Sequence, residues 1–145
     1  MPHISWRHDR QRLILPVAIL PSLTEQSAQR SEVVWGILDT GATSTGIRQD
    51  VVERLGLLKR GRRRVFTANG DMIATEHFFR MGFYPGDFRD SPPDPERSLP
   101  HVLADELLGY ALHPNFSVPV IIGMDVIGLS DLHLGRDGSV SFELP

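Results

Sequence analysis

Apolar residues in this chain gather in short runs, and these runs predict a mostly β protein. Arg12–Leu20, Val33–Leu38 and Val118–Ile122 are largely apolar and are separated by polar, turn-forming stretches. Short apolar runs bounded in this way are typical of strands buried in a core. Pro16 cannot donate a backbone hydrogen bond, so the first strand is predicted to lie at an edge or to contain a bulge. The polar segment Ser22–Ser31 is predicted to be a loop.

Helical spacing is found in two shorter segments. Between Arg48 and Leu57 the apolar residues form one helical stripe, and Gly56 is placed to cap its C-terminal end. Met124–Leu129 predicts one or two further helical turns. The segment Leu99–Leu112 is ambiguous, because its spacing fits a helix while its Val-Leu-Ala stretch fits a short strand equally well.

Two hairpins and one surface excursion complete the pattern. Asn69-Gly70 lies inside Val65–Phe83 and signals a tight type I′ turn, which needs positive φ at both central residues. Asp131–Leu134 and Ser139–Leu144 predict a second hairpin. Tyr84–Pro100 contains five prolines and several acids, so we expect it to be a surface excursion.

The composition indicates a globular chain without a general affinity for nucleic acid or membranes. The 145 residues, of which 41% are apolar, suit one domain over residues 1–145 with a real core. A net charge of -3 gives no electrostatic footprint for nucleic acid or a membrane surface. The first residues lack the apolar segment of a secretory signal, and no apolar stretch could span a bilayer. A cytoplasmic location is the resulting expectation.

Charged residues suggest two further sites, and neither is favoured. Lys59–Arg64 is a basic run that could bind nucleic acid or an acidic partner, but a solvated loop and strand start is the preferred interpretation. His101 and Asp105 are four residues apart, and two ligands do not make a metal site. We therefore expect no metal and no cofactor. The chain has no cysteine and thus no thiol nucleophile.

Asp39-Thr40-Gly41 is the segment that carries chemistry. The aspartate directly follows a predicted strand, and a buried carboxylate is costly unless it is compensated. Gly41 lets backbone N–H groups point at this carboxylate, and Thr40 offers a hydroxyl for a sideways hydrogen bond. About 80 residues later a second apolar pair ends in glycine, Ile121-Ile122-Gly123. The first tripeptide alone is weak evidence, and the second motif strengthens it.

With these two motifs in this order, the chain resembles the retropepsin-like aspartic peptidases from about Arg12 to Glu143. The resemblance implies a mostly β, single-domain acid protease barrel with one or two short helices, assembled as a homodimer. It implies that Asp39 is catalytic, that Thr40 interlocks with its twin across the dimer, and that Gly41 contacts carboxylate and substrate. Other residues would support the active site, two of them in the strand through which the aspartate loop threads: Ala42, Thr43, Ile122 and Gly123.

The resemblance also implies a flap that closes over substrate. Its tip would be formed by Ala68, Asn69, Gly70 and Asp71. There are departures as well, since retroviral members pair an arginine after the second glycine with an acid after the first motif. Met124 and Thr43 stand at those positions, so this ion pair is absent. Asp125 could be a second catalytic acid, but a structural role near a helix N-terminus is preferred.

The single Asp-Thr-Gly has a consequence for assembly. Two close carboxylates that share one proton can supply both the base and the acid of peptide hydrolysis. Because the chain carries one such motif, a symmetric homodimer is the direct way to bring two Asp39 residues together. The predicted function is an aspartic endopeptidase that acts on a peptide or protein substrate. A non-catalytic peptide-binding or dimerisation module is the alternative, and self-processing of a longer precursor is a third possibility.

Overall fold

Short strands make up most of the molecule, as the apolar runs predict. A computed structural model describes residues 2–23, 30–67 and 70–145. Within these residues it contains twelve strands and two short helices. The strands are β1 (His3–Arg7), β2 (Ile14–Leu20), β3 (Glu32–Leu38), β4 (Gly46–Arg48), β5 (Lys59–Thr67), β6 (Gly70–Phe83), β7 (Gly86–Asp87), β8 (His101–Val102), β9 (Leu107–Leu112), β10 (Val120–Ile122), β11 (Asp131–Leu134) and β12 (Ser139–Glu143); the helices are α1 (Gln49–Leu55) and α2 (Met124–Ile127).

Six of the strands close into a barrel. Their order is β2-β3-β10-β4-β9-β6, and the C-terminal part of β6 returns to pair with β2. Closure pairs the backbone groups that an open sheet would leave exposed at its edges. The middle of β6 pairs with β9, and its N-terminal part pairs with β5, the last strand in the order. The β5–β6 hairpin therefore extends beyond the barrel wall.

A second sheet, in the order β11-β12-β1-β7, shares its core with the barrel. Phe142 of β12 stacks on Phe83 of β6, with ring centroids 5.6 Å apart, and joins the two sheets. The C-terminal hairpin is confirmed. Strand β1 was not predicted, although Ile4 and Trp6 alternate with polar residues and both side chains are buried. It pairs antiparallel with β12, so both ends of the described chain lie in one sheet.

α1 is shorter than the predicted stripe, and α2 has one of the one or two turns predicted. α1 ends at Leu55, and Gly56 caps it in the left-handed conformation at φ 60° and ψ 44°, which confirms the predicted glycine cap. The stripe formed by Val51, Val52 and Leu55 is buried. α2 is one turn long and follows β10 directly. No described helix is long and apolar enough to cross a membrane.

Strand β3 is real, but its prediction as a wholly buried strand is wrong. Val33 is 48% and Trp35 is 45% exposed, whereas Val34, Gly36 and Leu38 are buried. The physical reason is that side chains alternate across a sheet, and one face of β3 covers the core while the other faces outward. An apolar run alone does not distinguish a two-sided strand from one whose outer face is exposed.

The predicted hairpin Val65–Phe83 is present, with an earlier start. β5 begins at Lys59, so the basic run Lys59–Arg64 is part of a strand and not a loop. Val65 lies opposite Met72 in an antiparallel register. Gly70 has φ 110°, in the region that favours glycine. Ala68 and Asn69 lie outside the described residues, so the type I′ turn stays a prediction.

Two other segments are clarified by the structure. Leu99–Leu112 forms the strands β8 and β9 and no helix, because its apolar residues pack against the barrel strands that flank them. The excursion Tyr84–Pro100 is only partly a surface feature. Tyr84 and Phe88 are buried, and β7 within it pairs parallel with β1. Aromatic side chains thus anchor a segment whose prolines and acids suggested full exposure.

Candidate active site

The loop formed by residues 39–45, called the Asp loop here, crosses the end of β10. β10 lies between β3 and β4, parallel to the first and antiparallel to the second. The chain therefore leaves β3 on one side of β10 and returns in β4 on the other. The Asp39 N–H donates to the carbonyl of Ile122 at 2.9 Å, which fixes the loop where it leaves β3. Two distant sequence motifs meet at this point.

The Asp39 carboxylate is held by its own loop and faces outward. The Gly41 N–H donates to Asp39 Oδ1 at 2.9 Å, as the glycine was expected to allow. A Cβ at Gly41 would lie 3.2 Å from this oxygen, so a larger residue would crowd the carboxylate. The Ala42 N–H donates to the Asp39 carbonyl at 3.1 Å and tightens the turn. In the single chain Asp39 is exposed, so the loop presents the carboxylate to whatever lies above it.

Gly123 permits the close approach of β10 to the Asp loop. A Cβ at this position would lie 2.7 Å from the backbone carbon and oxygen of Ser44. That distance is too short for any ordinary contact, so no side chain fits without moving the loop. The next residue adds a bond, because the Met124 N–H donates to the Ala42 carbonyl at 2.8 Å. The glycine of the second motif is thus explained by backbone packing.

Asp39 borders a cleft of about 830 Å³ between the Asp loop and the β5–β6 hairpin. Its wall is apolar and contains the buried side chains of Tyr110, Leu112 and Ile121. Burial raises the pKa of Tyr110, the nearby Asp39 carboxylate raises it further, and Arg63 opposes the rise. The cleft is lined by Asp39, Gly41, Ala42, Thr43, Ser44, Arg63, Arg64, Val65, Phe66, Gly70, Asp71, Met72, Tyr110, Leu112, His113, Phe116 and Ile121.

Comparisons with a sequence family and with a solved structure agree with this arrangement of the Asp loop, the cleft and the hairpin. Residues 29–83, which include the Asp loop and the hairpin, match the sequence profile of a family described as aspartyl protease. The structure is similar to the crystal structure of a retropepsin-like aspartic protease from Rickettsia conorii, with a TM-score of 0.60 over 98% of this chain and 90% of that chain. The chain has a retropepsin-like fold. The resemblance drawn from the two motifs is confirmed, although the identity to that protein is 12%. A comparison with proteins of curated function gave no significant match.

Most of the residues expected from the resemblance meet around the Asp loop of the retropepsin-like fold. Asp39, Gly41, Ala42 and Thr43 line the cleft together with Gly70 and Asp71 of the hairpin. Ile122 and Gly123 lie behind the loop and not in the cleft lining, consistent with a supporting position. Thr40 is exposed on the turn and does not line this cleft. Ala68 and Asn69 fall outside the residues that the structure describes.

Thr45 was missed by the sequence analysis and holds the loop to α2. Its N–H donates to Asp125 Oδ2 at 3.0 Å, and its hydroxyl donates to Asp125 Oδ1 at 2.8 Å. The Gly123 N–H donates to the same hydroxyl oxygen at 3.3 Å. Thr45 is fully buried. Asp125 is in the first turn of α2, as expected, and both its oxygens are bound to Thr45, which supports a structural role.

Arg63 was also missed, and it joins the hairpin to the Asp loop. Its side chain forms an ion pair with Glu76 at 2.8 Å and donates to the hydroxyl of Ser44. Both charged side chains are partly buried, where an ion pair is screened less than at the surface. The sequence lacks the ion pair of the retroviral members. Here the contacts of Arg63 connect the Asp loop to the hairpin instead. Alternation along β5 would have placed Arg63 inward if that strand had been predicted.

Metal-binding residues do not cluster in the described part of the chain. No group of three His, Asp or Glu side chains is placed to hold an ion among residues 2–23, 30–67 and 70–145. His101 contacts the backbone oxygen of Pro145 at 3.0 Å through Nε2.

Proposed function

We propose that the chain, acting as one domain over residues 1–145, is an aspartic endopeptidase that works as a homodimer. One observation carries the proposal: Asp39 stands at the start of a loop fixed by backbone hydrogen bonds, with its carboxylate exposed beside an apolar cleft. The aspartyl protease profile and the retropepsin-like fold support a protease-type function.

The proposed chemistry needs two carboxylates. A water molecule must lose a proton as it attacks the scissile carbonyl carbon, and the carbonyl oxygen must be protonated. Two facing carboxylates cannot both ionise easily, so they share one proton and provide the base and the acid. The apparent pKa values then belong to the pair and not to either residue. Asp125 does not offer the second carboxylate within one chain, because Thr45 occupies both of its oxygens.

A second copy of the chain would supply the missing carboxylate. Asp39 borders a second, smaller cleft on its other side, and Leu134 of β11 lies in the lining of that cleft. Leu134 is 50% exposed and Leu129, before β11, is 56% exposed. Burial of these side chains against a twin would stabilise the dimer through the hydrophobic effect. In this arrangement the Thr40 residues of two chains meet beside the paired Asp39 residues.

The substrate is proposed to bind as an extended strand between the Asp loop and the hairpin. Apolar side chains of the substrate would enter the wall formed by Tyr110, Leu112 and Ile121. The hairpin residues Ala68, Asn69, Gly70 and Asp71 are proposed to form the flap tip that covers the peptide. Backbone hydrogen bonds along an extended peptide give affinity, and alternate side-chain pockets give specificity.

Replacement of Asp39 by asparagine tests the proposal. Asparagine has nearly the same shape and can still accept from Gly41, so the fold should survive, while general acid–base help worth about 10²–10⁴ in rate is lost. The measurement is cleavage of a diverse peptide library by wild type and Asp39→Asn. Asp105→Asn, with the same charge change at an exposed position outside the cleft, is the control and should retain most of the activity. Equal cleavage by the wild type and Asp39→Asn would exclude Asp39 as the catalyst.

A folded dimer that cleaves nothing would instead favour the binding module. Thermal unfolding and sedimentation of both variants are therefore measured alongside cleavage. Peptide binding by the wild type without any cleavage would identify the cleft as a recognition site only.

A further inference from the structure

The outward face of β5 carries a row of three arginines. Arg60, Arg62 and Arg64 are exposed and alternate along the strand with Gly61 and Arg63. Arg63 points inward and is neutralised by Glu76. The three outward side chains form no hydrogen bond or ion pair within the described ranges 2–23, 30–67 and 70–145. This concentration of unpaired positive charge lies on a chain whose net charge is -3.

The same strand ends the large sheet. β5 is nine residues long, contains no proline, and pairs with β6 on one side only in the part of the chain that the structure describes. Its outer backbone N–H and C=O groups can therefore accept an added strand. Charged side chains on an edge strand often prevent such pairing, so the row could serve as protection against association. A row of charges that only prevents edge pairing would not favour one peptide over another. A row that binds a partner would, and this difference can be tested.

The edge is continuous with the cleft that holds Asp39. Arg64, Val65 and Phe66, at the far end of β5, line that cleft. A peptide that lies extended in the cleft would run from there along the outer edge of β5. Alternate residues of a strand are about 6.8 Å apart, so carboxylates at two alternate positions of an added strand would meet Arg62 and Arg64. Arg60 lies in the irregularity between Lys59 and Gly61 and adds positive charge beside them.

We propose that this edge binds the flanking segment of the substrate, and that this segment is extended and carries acidic residues at alternate positions. The inference rests on the proposed peptidase function and adds the class of substrate to it. The added strand supplies backbone hydrogen bonds, and its acidic side chains face Arg62 and Arg64, with Arg60 beside them. The backbone edge favours a peptide over nucleic acid, which has no such hydrogen-bonding pattern to offer.

Binding to the inactive Asp39→Asn protein tests the inference without depending on cleavage. Two fluorescent peptides of equal composition are compared by anisotropy, one with three glutamates at alternate positions and one with the three in a row. We expect the alternating peptide to bind about fivefold more tightly or better, and to lose this advantage in high salt. The further change Arg62→Gln/Arg64→Gln should weaken its binding about tenfold, since each exposed charge pair contributes up to about fivefold.

The control variant loses two positive charges, as the test variant does, but at another part of the surface. Arg89→Gln/Arg136→Gln removes two other exposed arginines and should leave the affinity unchanged. Equal binding of both peptides, equal loss in both double variants, or equally tight binding of an oligothymidylate of the same charge would overturn the proposal. If the wild type cleaves peptides without any acidic preference, the substrate inference fails and the peptidase stands. If the binding pattern holds and nothing is cleaved, the peptidase fails and the binding edge stands.

Discussion

The floor and the roof of the cleft are built in opposite ways. The floor, formed by the Asp loop and β10, is fixed by hydrogen bonds from Asp39 to Ile122, from Met124 to Ala42 and from Thr45 to Asp125. The roof is the part of the β5–β6 hairpin beyond the barrel, where residues 70–75 of β6 pair with β5 alone. Phe66 and Ile73 on the roof are 76% and 69% exposed. Isolated two-stranded hairpins are marginally stable in water.

This difference matches two different demands on the site. A catalytic carboxylate has to be held in one position, and mispositioning by about 1 Å can cost about 10²-fold in rate. A roof has to open for substrate and close over it, which requires few fixed contacts. Under the proposed function, the floor would serve the chemistry and the roof the capture of substrate.

The largest effect is expected from a methyl group added to the floor. Gly123→Ala would place a Cβ 2.7 Å from the Ser44 backbone, so the loop must move and the free energy of unfolding should fall by about 2–3 kcal/mol. Gly61→Ala in β5, at the base of the roof, is the control. A Cβ at Gly61 meets nothing within 4 Å, and the change should stay within about 0.5 kcal/mol. Urea unfolding measures the free energy of unfolding of both variants. Similar losses in the two variants would show that floor and roof are equally constrained.

The next effect concerns the hydrogen bonds of Thr45. Thr45→Val keeps the shape but removes the hydroxyl that bonds to Asp125 and accepts from Gly123, so we expect a loss of about 1–3 kcal/mol. Thr75→Val, at the base of the roof, removes a half-buried hydroxyl 2.8 Å from His77 Nε2 and should cost less. Cleavage by Thr45→Val should also fall more than by Thr75→Val. A larger loss of stability at Thr75 would contradict the contrast.

Protection of the roof amides against hydrogen exchange should depend on whether a substrate-like ligand is bound. In the unliganded protein the amides of Val65 and Met72 should exchange with solvent faster than those of Ile121 and Ile122 in the floor. A peptide-like inhibitor that carries a hydroxyl at the scissile position should slow exchange in the roof about tenfold, by stabilising the closed form. Hydrogen–deuterium exchange with mass spectrometry measures both. Unchanged protection of the roof would remove the argument for a flap.

The smallest effect is electrostatic and lies beside the floor. The hydrogen bonds and charges of Arg48 and Arg54 lower the pKa of Asp50 from 3.8 to about 2. A carboxylate with a lowered pKa stabilises the fold above its unfolded pKa, and this contribution is lost as the pH falls from about 4 to about 2. Because the Asp50 side chain is 34% exposed, Asp50→Asn should cost less than about 1 kcal/mol at pH 7, and most of this cost should be gone at about pH 2. Glu53→Gln on the same helix is the control, and an equal cost at both pH values would contradict the linkage.

Sequence reasoning found the parts of the site that local chemistry determines. Asp39 with Gly41 and the cap at Gly56 each follow from a backbone need that a short stretch reveals. The place of Gly123 beside the Asp loop was implied by the resemblance, and its close packing becomes visible in the structure. The partnership of Thr45 with Asp125 was not predictable in this way, because it joins residues that the chain separates widely. The same holds for Arg63 and Ser44, which meet only once the hairpin is folded over the loop.

The errors in the fold have a similar origin. Leu99–Leu112 fits a helix and a strand by spacing, and pairing of β9 with β4 and β6 decides the matter. The outer face of β3 looks buried from its composition, because Val33 and Trp35 are apolar although they are exposed. Phe88 anchors an excursion that proline and acid content marked as surface. Tertiary contacts override local preference in each of these cases.

The central claim, that two chains share one catalytic site, is tested most directly by mixing subunits. Wild-type protein and Asp39→Asn are mixed and refolded together, so that subunits combine at random. The rate of peptide cleavage is then divided by the amount of total protein. If both Asp39 carboxylates are required, a mixture of equal parts should retain about a quarter of the specific activity of pure wild type, because only dimers of two wild-type chains cleave. Retention of half, in proportion to the wild-type fraction, would show that each chain acts alone and would contradict the shared site.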